Sequence, residues 1–222
     1  MKKVIKRNET LQSQVYEYLK EKIIIGGLTP GQRLIEEKIV EETGVSRSPI
    51  REAIRMLEKD GLVVVQVQGG VTVYKPSVED FVFLYECRVS LEPSAAMYAA
   101  ERREDVHIQK LQALLDEMKQ LSYQDETMKI HELNFAFHQL ITEASANPYL
   151  SKMMKDLKVL ISFYRNAILR NNPKRPETVI DEHASILQAI SDKDGPRAKL
   201  LMEEHIKSDY QLYVEAYQQL TE

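Results

Sequence analysis

The chain has 222 residues, of which 43% are hydrophobic and 29% are charged, and its formal net charge is -4. This composition is typical of a soluble globular protein with a real core. The single cysteine, Cys87, excludes an internal disulfide framework and indicates a reducing, cytoplasmic environment. No signal peptide and no apolar run of about 18 residues is visible, so we expect no contact with a membrane.

The charge is unevenly distributed along the chain. Residues 1–76 contain 13 Lys/Arg and 10 Asp/Glu, a balance of +3, whereas residues 77–222 contain 17 and 24, a balance of -7. A basic segment joined to an acidic segment indicates that only the first binds a polyanion. A β-rich stretch also ends at Pro76 and an almost wholly helical pattern follows, so we predict one domain over 1–76 and a second over 77–222.

The first domain is predicted to contain three helices followed by a β-hairpin. In chain order, the helices are expected at 10–25, 35–43 and 48–60, and the strands at 62–68 and 71–75. Gly44 allows a tight reversal between the second and third helices, and Ser46 is a suitable N-cap for the third. Gly69 and Gly70 lie between the strands, as a hairpin turn requires.

The second domain is predicted to contain only helices. Its apolar spacing and its breaks place them at 78–102, 105–122, 126–145, 147–171, 176–192 and 195–220. Short connections favour antiparallel packing of successive helices. The sequence therefore predicts a mainly α protein, with an N-terminal winged helix-turn-helix and a C-terminal antiparallel all-α helical bundle.

The segment around Gly44 has the features of a DNA-reading unit. Polar side chains cluster at the N-terminus of the third helix, where backbone amides also attract phosphate; they are Ser46, Arg47, Ser48 and Arg51. Arginine can bind guanine in a bidentate manner, and the hairpin would form a wing with Gln68, Gly69 and Gly70 at its tip. The alternative is an ordinary helical hairpin whose arginines only solvate one face. The order of glycine turn, polar cluster, apolar back face and hairpin favours binding to double-stranded DNA.

These residues resemble a known family. The runs Leu28–Leu34, Gly44–Ala53 and Leu57–Leu62 are similar to the GntR family of bacterial regulators. The resemblance implies a winged helix-turn-helix that binds a palindromic operator as a homodimer, with DNA contacts at the polar cluster and at wing residue Gly70. Many relatives carry arginine where this chain has Glu37, so one DNA contact is expected to be missing or to be replaced by Lys38.

Three histidines in the second domain lie on apolar helix faces. His138, His183 and His205 are on three different predicted helices, and bundle cores are common places for metal sites. Neutral imidazole is a common ligand of zinc-like ions, and Asn134, one turn before His138, could add an oxygen ligand. The alternative is that each histidine is an ordinary core residue with its hydrogen bonds satisfied.

A second resemblance covers this domain. The segments Arg88–Glu92, Asn134–His138 and Glu182–Ile186, with the stretch from Asp194 to His205, are similar to the helical FCD effector domain of FadR-type GntR regulators. That resemblance implies a divalent metal held by one aspartate and three histidines, the acidic position being Asn134 here. Zinc is the expected metal, with nickel and manganese as alternatives.

Arg88 is the candidate anchor for an effector. It lies on an apolar face, where it could bind a carboxylate ligand or simply pair with Glu92 four residues later. Arg165 is a second candidate of the same kind. With the resemblance, these residues predict a metabolite-responsive repressor that senses a small organic acid.

Two other function classes compete with this hypothesis. A metal-dependent enzyme could use the three histidines, but the sequence contains no His-Glu-x-x-His pattern and no phosphate-binding loop. A winged helix could also serve as a protein-docking surface. We expect no enzyme activity.

Overall fold

The computed structural model describes residues 10–121, 127–169 and 177–221. These residues form two compact units, one comprising the chain up to Pro76 with Val159–Ala167, and the other Ser77–Lys158 with Ile168–Glu222. The first unit begins with α1 (Leu11–Ile24), β1 (Arg33–Leu34), α2 (Glu36–Thr43), α3 (Arg47–Lys59), β2 (Val63–Val65) and β3 (Val71–Val73).

The core of the first unit lies between α1 and α3. Leu19 and Ile23 of α1 are buried, as are Ile50 and Leu57 of α3, because each helix places its apolar residues on one face. This packing leaves the opposite face of α3 in solvent.

A small antiparallel sheet completes the first unit, with strand order β1-β3-β2. The predicted hairpin is confirmed, but its strands are shorter than expected because Gln66 to Gly70 form the turn. In that turn, the Gly69 amide donates to the Gln66 carbonyl at 2.9 Å, and the Gln66 amide donates to the Gly70 carbonyl at 2.9 Å. The prediction missed β1, since a strand of two residues is too short to show alternation.

The remaining described helices are α4 (Val78–Arg102), α5 (Asp105–Gln120), α6 (Thr127–Ala144), α7 (Pro148–Leu169), α8 (Glu177–Ser191) and α9 (Gly195–Thr221). Within the second unit, α4 packs against α6, α8 and α9, and α8 also packs against α9. The predicted fold class is confirmed, and the helix bounds agree to within two residues over the described ranges. Among the described helices, none has an apolar stretch long enough to cross a bilayer.

Candidate nucleic-acid interface and metal centre

The turn between α2 and α3 has the geometry expected of a helix-turn-helix. Gly44 ends α2 with a φ of 69°, a left-handed conformation that glycine adopts easily, and its amide donates to the Val40 carbonyl at 2.8 Å. Ser46 occupies the predicted N-cap position of α3, although its side chain makes no capping hydrogen bond there. Its hydroxyl is exposed, like that of Ser48. Both serines therefore lie at the solvent-facing N-terminus of α3.

The two arginines of α3 are exposed and paired with carboxylates of α2. The side chains of Arg47 and Arg51 are each 59% exposed. Arg47 Nη2 lies 3.0 Å from Glu37 Oε1, and Arg51 Nε lies 3.1 Å and 3.0 Å from the two oxygens of Glu36. The sequence identified Glu37 as unusual but missed Glu36 as a partner, because the pairing crosses the turn. Both arginines thus face solvent while each is paired with a carboxylate of α2.

The wing residues lie at the turn between β2 and β3. Gln68 and Gly69 are exposed, and Gly70 is half-buried. Both glycines have positive φ values, 87° and 102°, which favour glycine over any other residue. The conformation of this turn therefore accounts for the Gly-Gly sequence.

The three predicted histidines meet inside the second unit. His138 from α6, His183 from α8 and His205 from α9 are all buried, and a donor atom from each lies within 4.8 Å of the others. The Nε2 atom of His205 is 3.2 Å from that of His138 and 3.4 Å from that of His183. Phe137 stacks on His183 with ring centroids 4.3 Å apart, which holds this ring in place.

Carboxylates hold the outer nitrogens of two of these rings. His138 Nδ1 lies 2.6 Å from Glu92 Oε2, and His205 Nδ1 lies 2.6 Å from Glu182 Oε2. A carboxylate accepts, so each Nδ1 carries the hydrogen and donates it, which leaves Nε2 with a lone pair when the ring is neutral. Such outer contacts are typical of histidines that bind metals.

Electrostatics keep His138 in the form that binds a metal. Burial lowers the pKa of His138, and the neighbouring Glu92 carboxylate opposes this only in part, so the ring is neutral near pH 7. Burial alone would raise the pKa of Glu92, but the charge of Arg88 lowers it well below its ordinary range. Glu92 therefore remains an acceptor for the His138 Nδ1 hydrogen.

The donor set fits a divalent metal. Because Glu92 and Glu182 accept the Nδ1 hydrogens of His138 and His205, the two Nε2 atoms facing each other at 3.2 Å are both acceptors whenever both rings are neutral, and a cation between them would satisfy both. Tetrahedral zinc with bonds of about 2.05 Å separates its ligand nitrogens by about 3.3 Å, close to the observed 3.2 and 3.4 Å. Asn134 is buried and lies one turn before His138 on α6. Its role as an additional oxygen ligand stays a prediction.

Arg88 is buried beside this cluster. Its Nε lies 2.6 Å from Glu92 Oε1, and its Nη1 lies 3.5 Å from Asp209 Oδ2 on α9. For Arg88, the sequence left open effector binding or an ion pair with Glu92, and the structure contains this ion pair. The side chain of Arg165 lies outside the described part of the structure. Sequence reasoning missed Asp209 altogether, and it did not connect Glu92 or Glu182 with the histidines.

Taken together, a helix-turn-helix with exposed arginines at the start of its second helix and a helical unit that encloses three histidines are typical of a DNA-binding transcription regulator. The sequence profile of "Bacterial regulatory proteins, gntR family" matches residues 11–73, and the FCD domain profile matches residues 83–208. The chain belongs to the GntR family and carries an FCD domain.

Three regulators illustrate the similarity. The HTH-type transcriptional regulator YdhC of Bacillus subtilis is 32% identical over 88% of each chain. The HTH-type transcriptional regulator McbR of Escherichia coli is 30% identical over 93% of this chain and 96% of its own. The HTH-type transcriptional repressor RspR of E. coli is 25% identical over 90% and 87%.

The fold similarity agrees with these relatives. The solved structure of E. coli McbR/YncC superposes with a TM-score of 0.82 and 25% identity, covering 95% of this chain and all of that one. These similarities are to transcription regulators and not to enzymes, so the enzyme hypothesis is not supported.

Proposed function

We propose that this regulator is a metal-dependent, ligand-responsive repressor that binds a palindromic operator as a homodimer. The observation that carries the proposal is the meeting of three buried imidazoles whose Nε2 atoms face one another while carboxylates hold two of the outer nitrogens. Without a cation, the contact between His138 Nε2 and His205 Nε2 is costly whenever both rings are neutral, because two lone pairs then face each other.

The DNA-binding surface is assigned to the end of α3 and to the wing. Arg47 and Arg51 read base edges in the major groove, while hydroxyls and amides at the helix end bind phosphate. The contact residues are Ser46, Arg47, Ser48, Arg51, Gln68, Gly69 and Gly70. Two copies of such a helix read two half-sites, so a dimer matches a palindromic operator. Residues 1–76 form the DNA-binding domain in this proposal, and operator binding places the protein in the cytoplasm, where bacterial DNA lies.

The ligand-binding domain, residues 77–222, holds the metal with His138, His183, His205 and Asn134. Zinc suits three imidazoles and one oxygen, and nickel or manganese are the alternatives. With four protein ligands a tetrahedral zinc is full, so an oxygen of an anionic effector would bind only by expanding the metal to five-coordination or by replacing Asn134. Repression is supported by RspR, a relative whose name describes a repressor.

The effector is a small carboxylate anchored by Arg88, with Arg165 as a second candidate. Arg88 Nη1 is buried, lies 3.5 Å from Asp209 Oδ2 and forms no hydrogen bond within the described structure, so an incoming carboxylate could compete with Asp209 for its hydrogens. Binding there would shift the placement of the two reading helices in the dimer. A coupling of about 1–3 kcal/mol between effector and operator is typical of such regulators.

Removal of the metal tests the proposal. We expect the purified protein to contain about one divalent ion per chain, and chelation to lower both the melting temperature and the operator affinity. His183→Ala should have the same effects as chelation. The matched control is His107→Ala, because His107 caps α5 and lies outside the cluster. Equal melting temperature and operator affinity before and after metal removal would contradict the metal-dependent part.

Neutralising Glu37 should strengthen DNA binding. Glu37→Gln removes the carboxylate that pairs with Arg47, so phosphate or guanine no longer competes with it. Because the pair is exposed, its contribution is small, and we expect roughly a two- to fivefold gain in affinity. Titration of a fluorescent duplex with the wild-type and variant proteins measures this gain. An affinity equal to that of the wild type would mean that Glu37 does not restrain Arg47.

A further inference from the structure

The wing has no charge of its own. Residues 63–73, which comprise β2, the turn and β3, contain no Lys, Arg, Asp or Glu. DNA affinity depends largely on cations placed at phosphates. A wing that approaches the DNA backbone therefore needs a positive charge from another element of the first unit.

Arg33 brings a positive charge to the wing. This residue is on β1, where it is paired with Thr72 of β3, and it is exposed. A Cβ atom built on Gly70 would lie 3.1 Å from Arg33 Nη2, 3.3 Å from Nε and 3.4 Å from Cζ. The guanidinium group thus lies against the wing turn, in space that the absent side chain of Gly70 leaves open.

Arg33 also differs from the arginines of α3 in its pairing. Arg47 and Arg51 are each neutralised by a carboxylate of α2. In the described ranges, Arg33 has no carboxylate within ion-pair distance. Its charge is therefore available to a ligand without breaking an existing pair.

We propose that Arg33 binds a phosphate of the DNA backbone and that Gly70 is needed to hold its guanidinium beside the wing. This inference rests on the proposed DNA-binding surface and adds a residue to it. A planar guanidinium can donate two parallel hydrogen bonds to one phosphate, which suits a wing that follows the backbone. The contact positions the protein and reads no base.

Arg33→Ala in the full-length protein tests the contact. Two probes are used, a duplex that the wild-type protein selects from a random library and a random-sequence duplex of equal length. We expect roughly a tenfold loss of affinity on both, because a phosphate contact is independent of sequence. The slope of log affinity against log salt should fall by about one for each lost contact. Lys59→Ala, which removes one charge at the opposite end of α3, controls for net charge and should change little.

The role of Gly70 is tested against its neighbour. Gly69 and Gly70 have similar positive φ values, so alanine strains the backbone at either position, but only at Gly70 does the new Cβ approach Arg33. A Cβ on Gly70 displaces the Arg33 guanidinium by only a few tenths of an ångström, so we expect Gly70→Ala to weaken binding less than Arg33→Ala, and the double variant to be no worse than Arg33→Ala alone. Gly69→Ala should have a smaller effect that adds fully to that of Arg33→Ala.

Distinct results would overturn this inference. Unchanged affinity and salt slope in Arg33→Ala, with binding lost in Arg47→Ala, would reject the Arg33 contact and retain the helix assignment. A loss confined to the selected duplex would show base reading and reject the phosphate contact. Normal DNA binding in both Arg33→Ala and Arg47→Ala would reject the proposed DNA-binding surface as well. Additive effects of Gly70→Ala and Arg33→Ala would reject the role given to Gly70.

Discussion

Arg47→Ala is expected to abolish specific operator binding and to leave the fold unchanged. A bidentate arginine–guanine contact contributes about 1–3 kcal/mol of discrimination, and a dimer loses it twice. We therefore expect a loss of specific affinity of roughly 30-fold to 20,000-fold, while binding to random DNA falls much less. The side chain is 59% exposed and its ion pair with Glu37 is superficial, so the free energy of unfolding should change by no more than about 0.5 kcal/mol.

Arg55→Ala is the matched control for this variant. Arg55 lies two turns later on the same helix, is 72% exposed and is also ion-paired, to Glu52. The Arg55→Ala substitution also removes one guanidinium from α3, but it leaves the N-terminus of this helix unchanged. Both affinities are measured by titration of a labelled duplex, and both melting temperatures by circular dichroism. Wild-type operator affinity in Arg47→Ala would show that α3 is not the reading helix.

Glu92→Gln is expected to destabilise the protein and to weaken its metal binding. Glu92 lies between Arg88 and His138 and is almost completely buried. Its neutralisation leaves the buried charge of Arg88 with the more distant Asp209 as its one carboxylate partner among the described residues, and breaking a buried pair costs about 3–5 kcal/mol. For a chain of this size the melting temperature should fall by roughly 6–20 °C. Loss of the acceptor for His138 should also reduce metal affinity by about 10–100-fold.

Glu182→Gln separates these two effects. Glu182 holds His205 Nδ1 at the same 2.6 Å distance, but its side chain is 29% exposed. We expect a similar loss of metal affinity with a much smaller change in melting temperature. Calorimetric titration of the metal-free proteins with zinc and thermal melts of the same samples provide both quantities. A Glu92→Gln variant as stable as the wild type would contradict the role assigned to the Arg88–Glu92 pair.

The helices and the histidine cluster could be predicted because they depend on local periodicity. His138 follows the apolar stripe of α6, and His183 and His205 follow those of α8 and α9, so their burial could be inferred from spacing. Convergence of three inward faces is a natural result of packing these helices in one bundle. The order of Gly44, Ser46 and the arginines could likewise be interpreted from sequence, because it reflects a local turn followed by the start of a helix.

The partners of these residues could not be predicted in the same way. Glu92 and His138 are 46 residues apart, and His205 and Glu182 are 23 apart, so these contacts depend on how the helices pack. The approach of Arg33 to Gly70 depends on the register between β1 and β3, and β1 itself was missed. The Glu36–Arg51 pair crosses a turn, where helical spacing rules do not apply.

The buried ionic groups around the histidines have a consequence for electroneutrality. Arg88, Glu92 and Asp209 are all buried and together have a formal charge of -1. A divalent ion bound by neutral imidazoles would change the net charge of these buried groups from -1 to +1, and a single monocarboxylate would then cancel it. Asparagine at position 134 adds no charge, whereas an aspartate there would already balance the sum. Because the remaining carboxylate at the cluster, Glu182, is 29% exposed and so partly screened by solvent, the uncharged amide at position 134 would leave the buried interior of a metal-bound protein positive, which would favour an anion.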